Sequence, residues 1–196
     1  NIYKENIKTN KLINLINEHN PDIAAIVEYR NCHDMDLHAI KSKYENFWAI
    51  CLDNGFGIAL FSKYKFEFIY KGGFEKMPFA IFKIHHPHKT FLFTIFHPSP
   101  PMKSSWAKAF HSQILELEEK IKKLNQDMIV VGDFNASPWG YHFKNFLKKT
   151  NLKDPRKTFG FNFSWMRSSP FFLPIDHILS SQGFEFLDLK VCESVG

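Results

Sequence analysis

Ile129-Val130-Val131-Gly132-Asp133-Phe134-Asn135-Ala136-Ser137-Pro138-Trp139 is an apolar run that empties into an acid, an aromatic and an amide. The run predicts a buried strand over 128–132, and on an extended backbone the side chains of Asp133 and Asn135 point to one side while Phe134 turns to the other. A carboxylate beside a carboxamide at a strand end supplies hard oxygen and a hydrogen-bond donor, the groups expected next to a magnesium-bound phosphate. An Asx turn leaving the strand is the plainer alternative; it accounts for Asn135 better than for Asp133.

Three further segments also set a polar residue against apolar neighbours. Pro21-Asp22-Ile23-Ala24-Ala25-Ile26-Val27-Glu28 ends in a carboxylate, Ile175-Asp176-His177-Ile178-Leu179 embeds one, and Asn1-Ile2 opens the chain with an amide. Together with Gly132–Trp139 these segments resemble, in chain order, the signatures of the endonuclease/exonuclease/phosphatase superfamily, the metal-dependent hydrolases related to exonuclease III and deoxyribonuclease I. The resemblance implies a four-layer α/β/β/α sandwich of the deoxyribonuclease I-like type, formed as one catalytic domain over 1–196. It also implies hydrolysis of a phosphodiester, nuclease-like or on a lipid or small molecule, by in-line attack of water. Magnesium, with manganese as a substitute, would bind Glu28 with help from Asn1, for which Asn6 is the nearest replacement. Asp133 would orient or deprotonate the water, Asn135 would donate to the scissile phosphate, and Asp176 would complete the acidic group. His97 falls where relatives place a substrate-binding residue, with a surface histidine as the alternative. Trp139 either walls the pocket or packs the following helix, and His177, on the opposite face from Asp176, is assigned a structural role.

The organisation agrees with this implication on independent grounds. Leu12, Ile13, Leu15 and Ile16 predict an amphipathic helix over 9–19 with Thr9 as a cap, broken by Pro21. A strand, a crossover helix and a parallel strand would place Asn1 and Glu28 at the same sheet edge. Alternating segments at 47–52, 57–62, 65–71, 79–85 and 91–97, separated by turn signals such as Asp53-Asn54-Gly55, predict antiparallel strands. Phe110, Ile114, Leu117, Ile121 and Leu124 predict a helix over 104–124. A short helix near 139–149 and strands at 174–180 and 184–193 complete the expected layers.

Composition narrows the function classes. With 196 residues, 44% hydrophobic and 23% charged, the chain can bury a full core, and most of its 22 Phe are expected between layers. A net charge of +5 favours an anionic ester, yet is too small to advertise duplex binding. Cys32, Cys51 and Cys192 are scattered and odd in number, so neither a disulfide framework nor zinc spacing is implied. His85, His86 and His88 flank Pro87 in a hairpin setting that favours solvent. No run reaches the roughly 18 apolar residues of a membrane span. Discrimination between nucleic acid and phospholipid is expected in the loops 98–105 and 153–173, the latter holding Phe159, Phe161, Phe163, Trp165, Phe171 and Phe172. No obligate protein partner is implied, and a monomer is expected.

The two ends carry expectations of their own. Asn1 stands where a first strand should finish, so residues are expected upstream, and some similar bacterial proteins carry membrane segments there. Relatives close with a Ser-Asp-His whose histidine acts with the aspartate, whereas this sequence reaches Glu193-Ser194-Val195-Gly196. Loss of such a group would cost about 10²–10⁴ in rate. The alternative reading is a noncatalytic phosphate- or protein-binding domain on the same scaffold.

Overall fold

The computed structural model describes residues 1–2, 9–30, 37–160, 163–164 and 173–192. Its first helix, α1 (Asn10–His19), buries Leu12 and Ile16 and ends at Asn20, whose left-handed backbone (φ 42°) lets its N–H close on the Ile16 carbonyl. Thr9 is not the expected cap. It is itself helical, makes no side-chain cap bond and is buried instead.

Strand β1 (Ile23–Val27) follows, then the short α2 (His38–Lys41), β2 (Asn46–Ile50) and β3 (Ile58–Ser62). These strands make a three-stranded sheet in which β3 is central and antiparallel to both neighbours. A second sheet of five strands is ordered β4 (Phe66–Phe74), β5 (Met77–His86), β6 (Lys89–Ile95), β7 (Met128–Asp133) and β8 (Asp176–Ser180). Among the described strands only β6 and β7 run parallel, and α3 (Ser104–Leu124) makes the crossover between them. Helices α4 (Tyr141–Thr150) and α5 (Arg156–Phe159) lie between β7 and β8 in sequence.

Period-2 patterning sorts the side chains into three cores, which is what defines four layers. In β3, Ala59 and Phe61 join Leu12, Ile16 and Ile40 under the first helices, while Ile58 and Leu60 face the second sheet. In β5, Ala80, Phe82 and Ile84 complete that inter-sheet core, while Phe79 and Ile81 turn to α3 and α4, where Phe110, Ile114, Leu117, Phe143 and Phe146 are buried. Strands with both faces covered explain the heavy use of phenylalanine, as aromatic edges fill the gaps between layers.

The expected strand at 184–193 is absent among the described residues: 184–192 have no ladder. Side chains tie the segment down instead, Phe184 meeting Phe91 edge-on at 5.2 Å with Lys89 over its ring. Leu187 is 83% exposed, so the alternation there has no layer to bury it. Cys192 is a free thiol, and Cys32, Asn6, Phe161, Trp165, Phe171 and Phe172 lie outside the described residues. No described helix is long and apolar enough to cross a membrane.

Candidate active site

Strand β7 delivers the acid because Gly132 lets it approach its neighbour. Gly132 has φ +140°, and a Cβ there would stand 2.2 Å from the Phe96 carbonyl oxygen. Gly132→Ala is therefore expected to destabilise the fold by about 2–3 kcal/mol, read as a lowered denaturation midpoint at unchanged slope.

Asp133 is 4% exposed at the strand end. Its Oδ1 accepts the Asn135 N–H at 2.8 Å, and its Oδ2 accepts the Asn1 side-chain N–H at 3.1 Å. Directly across the β7–β8 ladder stands Asp176. Burial, reinforced by the Asp176 charge, pushes the Asp133 carboxyl up to about 7, against the opposing pull of the Asn135 N–H and the Asn1 amide. Asn1, Asp133, Asn135 and Asp176 are thus brought together from both ends of the chain.

Asn135 departs from the expected geometry. Its φ of 49° ends the extended alternation at Phe134, so Asp133 and Asn135 do not share a strand face; they form an Asx turn. The Asn135 amide donates to the Pro98 carbonyl at 2.9 Å, which fastens the loop after β6 to the site, and a second N–H remains on that nitrogen. Gln113 of α3 secures the same loop, accepting from the Ser99 N–H and donating to the Met77 carbonyl. Phe134 turns away as expected, into Phe96, Phe143 and Phe146.

The remaining candidates separate. Glu28 follows β1 in a left-handed conformation (φ 65°), and the Ile2 N–H donates to the neighbouring Val27 carbonyl at 3.3 Å, which sets Asn1 beside the β1 end. Among the described residues no three His, Cys, Asp or Glu side chains converge closely enough to hold a metal, so Glu28 does not close into a three-carboxylate cluster with Asp133 and Asp176. His97 is not the surface residue of the alternative reading. It is 4% exposed, lies 5.1 Å from the Phe56 ring, and burial pulls it down to about 3. Its buried Nδ1 has no partner among the described residues.

His177 is structural, as expected. Arginine only donates, so the Arg156 Nη2 contact makes His177 Nδ1 an acceptor, and Nε2–H donates to the Ala136 carbonyl at 2.7 Å. Burial and then the Arg156 charge hold this ring well below the usual histidine range. Arg156 also pairs with Asp154, both side chains nearly inaccessible. This pair carried no signal in sequence, since Asp-Pro-Arg in a loop reads as solvated turn. His85 engages Glu67 at 2.9 Å in the exposed hairpin.

A cleft of about 400 Å³ opens between the sheets, lined by Asn1, Val27, Gly132, Arg156 and Asp176. Trp139 is 47% exposed and lines a different cleft, so it neither walls this one nor is buried by packing on α4. Carboxylates and an amide oxygen are the hard donors magnesium takes, and that ion keeps several waters, so one or two protein carboxylates suffice. Asn1, Glu28, Asp133 and Asp176 supply oxygen donors of this kind, although among the described residues their side chains are not gathered into one metal cluster.

The endonuclease/exonuclease/phosphatase family model matches residues 1–196. The chain belongs to this family. Members of the endonuclease/exonuclease/phosphatase family are hydrolases acting on phosphate esters. The fold is similar to that of D. rerio TDP2 complexed with single strand DNA product, with TM-score 0.71, 15% identity, and 91% of this chain and 79% of that chain covered. It is also similar to the Bacteroides thetaiotaomicron mannosyl-6-phosphatase, with TM-score 0.61, 21% identity, and 88% and 75% covered. Beta toxin from Staphylococcus aureus, as a beta-hairpin deletion mutant, gives TM-score 0.65, 18% identity, and 95% and 84% covered. No curated protein matches the sequence.

Proposed function

We propose that this chain is a magnesium-dependent phosphoesterase that cleaves a phosphodiester by in-line attack of water. The observation that carries the reading is the Asp133–Asp176 pair at the β7 and β8 ends, with Asn1 bonded to Asp133. A carboxyl raised to about 7 is half-ionised near neutrality, which suits a group that accepts the proton of the attacking water. Asn1 fixes the orientation of that carboxylate, and the second N–H of Asn135 donates to a phosphoryl oxygen. Glu28 and Asn1 would hold magnesium, or manganese, which when bound would supply a Lewis acid for the phosphoryl group. His97 contributes as a neutral hydrogen-bonding ring. Membership of a family of phosphate ester hydrolases supports the class of reaction. The range of its fold relatives, from a complex with DNA product to a sugar phosphatase, leaves the leaving group to the loops.

Hydrolysis of bis(p-nitrophenyl) phosphate with magnesium and with a chelator tests the reading. Glu28→Gln is expected to lose activity about 10²-fold or more, approaching the chelated wild type. Full activity in that variant, or in chelator, removes the assignment.

A further inference from the structure

Beyond the inter-sheet cleft, a second concavity of about 960 Å³ runs between α4, residues 151–158 and residues 182–186. Lys144, Lys148, Lys153 and Lys157 line it. Lys153 is already committed to the carbonyls of Gln182 and Phe184, which it pins as one wall. Lys144, Lys148 and Lys157 are exposed and form no ion pair among the described residues. Lys149, one residue on, shows the contrast: it turns to Glu118 on α3. Of the acids lining the concavity, Asp154 is neutralised by buried Arg156, which leaves Glu185 exposed against three unpaired ammonium groups. Lys144 and Lys148, four residues apart on one helix, repel each other mildly, which an anion between them relieves.

We infer that this basic concavity is a binding site for the phosphodiester backbone of a single-stranded nucleic acid, separate from the Asp133–Asp176 centre. Lys144 and Lys148 stand one helical turn apart, about 6 Å along α4, comparable to the step between successive phosphates of an extended strand. Trp139 and half-buried Phe186 line the same concavity as the lysines and supply flat rings of the kind that base stacking uses. A membrane surface would need a flat or protruding apolar face, whereas these lysines line a hollow. The ridge Asp154-Pro155-Arg156 borders both clefts, so a strand seated here extends toward Asp176 by crossing it.

Fluorescence anisotropy of a labelled 12-nucleotide oligothymidine, in chelator to prevent turnover, tests the assignment. Three phosphate contacts predict an affinity falling about 20-fold between 50 and 200 mM salt, and about threefold in Lys144→Glu/Lys148→Glu. That variant should bind at least tenfold more weakly at 50 mM salt with an unchanged melting temperature, and Lys157→Glu should weaken binding independently. Unchanged affinity in the double variant, or sedimentation with phosphatidylserine vesicles without oligonucleotide binding, overturns the proposal. Hydrolysis of bis(p-nitrophenyl) phosphate should stay within about twofold of wild type in Lys144→Glu/Lys148→Glu, since the small ester does not reach the lysines. Oligonucleotide binding by a protein that cleaves no ester supports the cleft and removes only the hydrolase reading.

Discussion

Asp133→Asn should reduce phosphodiester hydrolysis by about 10²–10⁴ and at the same time stabilise the metal-free protein at pH 8. The first effect follows from removing the proton acceptor. The second follows from linkage. Asp133 titrates at about 7 in the folded chain against an ordinary value of 3.8, so between these limits the folded state holds a proton that the unfolded state has released. Stability must then fall as pH rises through that window, and above pH 7 the native protein carries a buried charge facing Asp176. Asparagine keeps the shape and the acceptor for the Asn135 N–H while removing that charge. It also sets an N–H against the Asn1 amide, a loss of roughly 1 kcal/mol, smaller than the few kcal/mol of relieved burial and repulsion. The gain should therefore vanish near pH 4, where aspartic acid is neutral too. Thermal melts of both proteins at pH 4, 6 and 8 in chelator measure it, and a difference that does not change with pH would refute the repulsion between Asp133 and Asp176.

The layers were legible because each depends on periodicity. Helix α3 spans the expected 104–124 and ends with its apolar spacing at Leu124, and β3 and β5 alternate between two cores. Asp133 and Asp176 were legible because an unpaired acid on an apolar strand demands a reason. What periodicity could not carry was conformation at the strand exits. Asn135 and Glu28 adopt left-handed backbones, so a rule built for extended chain misplaced the Asn135 side chain. Burial of single polar residues in connections was equally hidden: His97 has a surface residue's sequence context, yet it is enclosed with Phe56 by the packing of loops far apart in sequence. The stretch 184–192 alternates as a strand should, but pairing requires a partner edge, which alternation does not reveal.

The same blindness concealed what holds β8 in place, and removing it should have the largest effect on stability. Arg156 spans Asp154 Oδ1 and Oδ2, the Pro174 carbonyl and His177 Nδ1, with Asp154 and Arg156 side chains 6% and 5% exposed. Taking away Asp154 leaves a guanidinium enclosed without its counter-charge, a change that typically costs 3–5 kcal/mol. For a chain of this length Asp154→Ala should then melt on the order of 10 °C lower. Arg156→Met in the same chain removes the stranded cation, so the double variant Asp154→Ala/Arg156→Met should regain much of the loss. Additive losses would mean that the two side chains act separately. Because Arg156 holds His177 and His177 adjoins Asp176, the double variant can regain stability and still hydrolyse poorly. That separation would show the pair setting the position of β8 against β7, and with it the distance between the two carboxylates on which the chemistry rests.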